Sequence, residues 1–313
     1  MNDLSNNVYD YYLGHFAELS PDKQLHFASR LYLWSGDERC AEHLRQLRAG
    51  VTLGDDPGAA LREVYNLAQT TIHHGSKNAA AERAPHFERY PELRSVVMVL
   101  FRLTFLRTVY GIDARGAFYD LYPAQTLDDL QQRLLADRQA MAILSTHAIN
   151  FLYLYNRVLL DDDTSFDPSQ LLDLARIYDF SRPVHLQLFI YLYTHCVIGE
   201  SQFYARRVPE TYRPIYDSML AALEKLIDAR YDDINLDNKF EYLVCCGLLG
   251  VDSPLRARID DEARRSIADE GMFLVDRHNN NPQITNHSLD LSEHRNVLYI
   301  LANQPFQPSG VTL

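Results

Sequence analysis

Apolar positions recur along this chain at intervals of three and four residues, while strict alternation bounded by tight hairpin turns is almost absent. The pattern predicts an all-α protein of roughly ten to thirteen helices. Helix starts are marked where a capping residue precedes proline: Ser20-Pro21, Asp56-Pro57, Asp167-Pro168 and Ser253-Pro254. Thr126 with Asp129, and Asp290 with Glu293, resemble acidic capping boxes. The expected segments are 7–18, 21–35, 38–49, 57–74, 91–110, 127–138, 139–160, 168–178, 182–203, 209–230, 236–249, 254–269 and 291–303. Two long polar connections stand out, 75–90 and 276–289, and such loops are more often functional than average.

Hydrophobicity is uneven between helices. Segments 96–106, 141–160 and 184–198 are apolar nearly all round, whereas 209–230 and 254–269 are amphipathic. A helix apolar on every side must be enclosed by others. An inner set wrapped by an outer set predicts an α/α toroid or a curved helical solenoid, although no clean repeat period is present. The expected organisation is one helical domain, 1–313, with an alternative division at the 75–90 loop into an N-terminal subdomain, 1–80, and a main body, 91–313.

Composition adds few constraints. The chain is 47% hydrophobic and 23% charged, which is ordinary for a globular fold, and its net charge of −12 is spread along the sequence. Nucleic acid and anionic membranes are therefore poor partners. Cys40, Cys196, Cys245 and Cys246 lack CxxC spacing, so neither a disulfide framework nor a structural zinc site is expected. The opening MNDLSNNVYDYY lacks the features of an export signal, and a cytoplasmic location follows as the expectation. Segment 141–160 has nearly membrane-spanning length, yet His147, Asn150, Asn156 and Arg157 interrupt it, so it is read as buried in protein.

The same interruptions carry the candidate chemistry. A hydrogen-bonding group buried without a partner costs roughly 1–3 kcal/mol, so polar residues in apolar helices must meet a partner, water or a ligand. His147 and Asn150 share a stripe on the first such helix. Gln187, Tyr191, Thr194 and His195 share a face of the next. Asn238 and Glu241 lie where 236–249 turns apolar, with Asp237 one turn before Glu241 and Lys239 directed elsewhere, toward the surface. The densest polar run is near the C-terminus: Asn286 and His287, then Ser292, Glu293, His294, Arg295 and Asn296. Simple readings stand beside each: a core histidine bonded to asparagine, a polar seam between helices, or capping by Glu293 and Ser292. His73-His74 lacks the i, i+4 spacing of a metal face.

No GxGxxG, Walker loop, GxSxG elbow, HExxH or kinase motif occurs, and the DDxxD box of magnesium-dependent prenyl transfer is missing. The Cys-His pair of zinc cyclases that share the toroid architecture is missing too. The sequence therefore points to a central polar cavity that binds or converts a small polar molecule of the carbohydrate kind. Its catalytic candidates are His147, His195, Glu241 and His294. Its binding candidates are Asn150, Gln187, Tyr191, Asn238, Asn286, His287, Glu293, Arg295 and Asn296. No metal is assigned; cofactor, oligomeric state and enzymatic status stay open. The alternative is a helical scaffold that binds a protein or peptide on a concave surface, with a carboxylate-histidine metal protein as a weaker third.

Overall fold

The computed structural model describes residues 3–50, 56–70, 77–267, 271–273 and 288–313, and no strand occurs among them. The expected starts at Pro21 and Pro57 hold: α2 spans Pro21–Ser35 and α4 spans Pro57–Thr70, with Asp56 Oδ1 accepting from Ala59 N at 3.2 Å. Between and before them lie α1 (Asp3–Gly14) and α3 (Glu38–Gly50). Ten to thirteen helices were expected, but fifteen α-helices occur among the described residues. The difference has local causes.

From residue 77 onward, the expected 75–90 loop is a helix, α5 (Lys77–Arg89), whose Ala79–Ala81 run outweighs the cost of Pro85 inside it. A further short helix, α7 (Arg115–Leu121), follows the long apolar α6 (Leu93–Tyr110). Next, α8 (Ala124–Ala136) starts three residues before the expected 127, and its N-cap position is Pro123, so Thr126 and Asp129 form no capping box. The expected 139–160 helix is broken. Ser145, at φ 45°, separates α9 (Arg138–Leu144) from α10 (Thr146–Tyr153), and α10 widens into a π-helical turn over Leu154–Leu159. Segment Pro168–Ile177 is 3₁₀ rather than α, and α11 (Pro183–Glu200) and α12 (Arg213–Ala229) follow. The chain closes with α13 (Leu236–Leu249), α14 (Arg256–Ser266) and α15 (Leu289–Ala302).

The apolar helices are the buried ones. Helix α2 packs on α6, α6 on α10, α10 on α11, α11 on α13, α13 on α15, and α15 returns to α2. The others flank them: α1 on α15, α3 on α2, α4 on α6, α5 on α9 and α11, α12 on α11 and α13, and α14 on α13. Among the described residues no helix is long and apolar enough to cross a membrane. The four cysteines are buried and unpaired.

Candidate functional site

On α11, after its first two residues, only Gln187, Tyr191 and His195 keep accessible surface. They are spaced by one helical turn, so they form a single stripe. On α15, between Ser292 and Ala302, His294 alone does so. Burial nevertheless dominates the titration of Tyr191, which it raises, and of His294, which it lowers with help from Arg30 against Asp237, Glu241 and Glu293.

His195 joins three helices. Its Nδ1 lies 2.7 Å from Asn150 Oδ1 on α10, and its Nε2 lies 3.3 Å from Glu241 Oε1 on α13. Both contacts carry a proton either on a doubly protonated ring or on a neutral ring with the Asn150 amide turned around. Burial acts to raise the Glu241 carboxyl, but the bond and charge of His195, with a smaller pull from His294, hold it below its ordinary value. Thr194 also lowers it, yet the Thr194 hydroxyl donates to Ile190 O at 3.0 Å. Glu241 Oε2 is left buried without a hydrogen-bond partner, and so is Asn238 Nδ2 one turn away. Tyr191 OH accepts from Gln187 Nε2 at 3.1 Å.

A second cluster borders the first. Glu293, fully buried, accepts from Lys23 Nζ at 3.1 Å and faces His26 Nδ1 at 2.7 Å. The capping-box reading of Glu293 is thus overturned. Ser288 caps α15 by accepting from Leu291 N, Asp290 Oδ1 accepts from Ser20 N, and Ser292 is buried inside the helix. Against the burial that would raise it, His26 and Lys23 hold Glu293 down to about 2. His26 lies 5.9 Å from the His294 ring, ring centre to ring centre. Arg30, one turn further along α2, has its NH1 buried with no acceptor. His26, Arg30 and Tyr204 also line a cleft of about 410 Å³ between α2, α4 and α6, otherwise largely apolar.

Other candidates fall elsewhere. His147 does not bond Asn150: its ring meets Phe87 edge-on at 5.0 Å, with Nδ1 3.4 Å from Thr146 Oγ1. Arg295 is buried on α15 and binds Asp237 through Nε at 3.0 Å. Asn296 is satisfied, accepting from Phe273 N and donating toward Phe273 O, Tyr12 OH and Ser292 O, so it ties α1 and residues 271–273 to α15. Lys239 is not at the surface; it is buried, paired with Glu262 at 2.7 Å and set over the Tyr231 ring. Asn286, His287 and the His73-His74 pair lie outside the described residues.

Sequence reasoning passed over His26 and Arg30, which share a face of α2 at i, i+4. It also missed the buried Glu200 assembly. Arg157 donates to both Glu200 oxygens, to Asp162 O and to Phe166 O, while Arg206 and Tyr216 complete the carboxylate. That assembly satisfies its carboxylate and joins α10 to α11. The His195 cluster leaves a donor and an acceptor unmet. Among the described residues no group of three or more His, Cys, Asp or Glu is placed to hold a metal. Comparison of the chain with known protein families, curated proteins and solved structures finds no match.

Proposed function

We propose that the chain is an α/α toroid whose central cavity binds, and by proton transfer converts, a small polar molecule of the carbohydrate kind. The closed succession α2, α6, α10, α11, α13, α15 supports the toroid. One observation carries the function: Arg30 NH1 on α2, with Asn238 Nδ2 and Glu241 Oε2 on α13, are buried without partners in a protein that satisfies its Glu200 cluster fully. Orphaned donors and an acceptor beside titratable groups are what a hydroxyl-rich ligand completes. In this reading His195 and Glu241 move the proton, His294 assists, and Asn238, Gln187 and Tyr191 orient the hydroxyls.

The test is a thermal-shift and calorimetric panel of sugars, polyols and their phosphate esters on the wild type, Asn238→Ala and Glu241→Gln. Asn238→Ala is expected to leave the Tm unchanged or raised, because it removes a donor that costs about 1–3 kcal/mol to bury unpaired, while weakening the ligand. A marked drop in Tm with unchanged ligand binding overturns the reading. A second reading, a scaffold for a protein or peptide, draws on the largely apolar cleft. It is favoured if no panel member stabilises the wild type.

A further inference from the structure

Among the described residues, Arg83 on α5 and Arg94 at the start of α6 are cations without a carboxylate partner. Arg83 reaches only neutral acceptors, Ile143 O from Nε at 3.3 Å and Thr146 Oγ1 from NH2 at 3.4 Å. Arg94 lies over the Phe87 ring at 3.7 Å, and its Nε is buried without a partner. The acidic residues beside them are engaged elsewhere: Glu82 with Arg182, Glu92 with Arg133 and Asp137 with Arg89. Burial lowers both, and the charge of Arg94 lowers Arg83 slightly further. Partly buried cations that lack a counter-charge are destabilising in the empty state.

Around them the chemistry suits an anion. Phe87 packs on His147, His147 approaches Thr146, and Thr146 approaches Arg83, so the cluster closes at the first turn of α10. That helix start has no side-chain cap. We propose that Arg83 and Arg94, with the Thr146 hydroxyl and the start of α10, bind the phosphate of a phosphate monoester. Two guanidinium charges match a monoester's charge of about −1.5 to −2, whereas a carboxylate supplies one. Helix α5 packs on α11, which carries Tyr191 and His195, so the phosphate lies on the side of the His195 cluster. Only this last step, that the ester's polar body reaches His195, rests on the function proposed above.

The probe is inorganic phosphate, titrated calorimetrically into the full chain, with acetate at matched ionic strength as control. Saturable binding of one phosphate, weakened at least about tenfold in Arg83→Gln and in Arg94→Gln and unaffected in His195→Asn, is the expected result. Arg94→Gln is also expected to raise the Tm of the empty protein, since it removes a cation whose Nε is buried without a partner while removing the ligand contact. In the wild type phosphate raises the Tm and acetate does not. Lack of saturable binding, equal affinity for acetate, or unchanged binding in Arg94→Gln overturns the proposal. Phosphate binding retained by His195→Asn, in a protein that ignores every sugar phosphate, keeps the anion site and removes the catalytic reading.

Discussion

Burial holds the His26 imidazole down to about 4, with Arg30 and His294 adding to the effect against the pull of Glu293. At neutral pH the ring is therefore uncharged, and Lys23 is the cation that faces Glu293 while His26 Nδ1–H donates to it. The unfolded chain takes up this proton near 6.5, the folded chain only near 4, so stability falls as pH drops between those values. Glu293 then adds a second loss as pH falls from about 4.5 toward 2. His26→Asn is expected to flatten the upper window by on the order of 2 kcal/mol, allowing for the 28% exposure of the side chain. Melts in steps of pH check it; equal slopes in both proteins refute it. Arg157 gives the opposite case to Asn238. Arg157→Ala strands Glu200 in the interior and is expected to cost about 3–5 kcal/mol in urea unfolding.

At the scale of elements, the α11 stripe of Gln187, Tyr191 and His195 was readable, because a period of 3.6 places them together whatever the helix packs against. What the stripe meets was not. Residues 139–160 read as one apolar helix, yet the chain turns at Ser145, whose Oγ donates to Leu188 O at 2.8 Å, and loosens into a π turn where Arg157 is held by Glu200. Periodicity carries no signal for a break made by a partner distant in sequence. The fit of α10 to α11 is equally non-local. A Cβ on Gly199 would lie 2.5 Å from Tyr153 Cγ, so Gly199→Ala is expected to cost about 1–3 kcal/mol, or more if the ring cannot shift. Thermal unfolding checks this, and a neutral effect means that the two helices are less closely locked.

Across the whole molecule, the C-terminal residues fasten helices that are far apart in sequence. Gln307 N donates to Trp34 O, Ser309 N to Leu33 O and Leu313 N to Val109 O, while Trp34 Nε1 donates to Gln304 O. Trp34 itself is fully buried beside Gly247 and Phe306, so it is a packing residue. Because α15 joins α13 to α2, removing residues 289–313 is expected to abolish cooperative unfolding rather than leave a shorter stable protein. Circular dichroism melts of that truncation test it; a sharp transition with most of the ellipticity retained refutes closure by α15. The all-helical class and most helix positions follow from local patterning, since capping, proline placement and apolar period act over a few residues. The polar residues of the His195 and Glu293 clusters other than His26, Arg30 and Lys23 were identifiable for the same reason: a polar group in an apolar helix needs a partner. Which partner it meets depends on long-range packing. Asn150 pairs with His195 rather than with His147, Glu293 binds α2 rather than capping α15, and Arg83, from a segment that reads as loop, reaches Thr146 on α10. No local period encodes such pairings, because each is set by how helices distant in the chain are brought side by side.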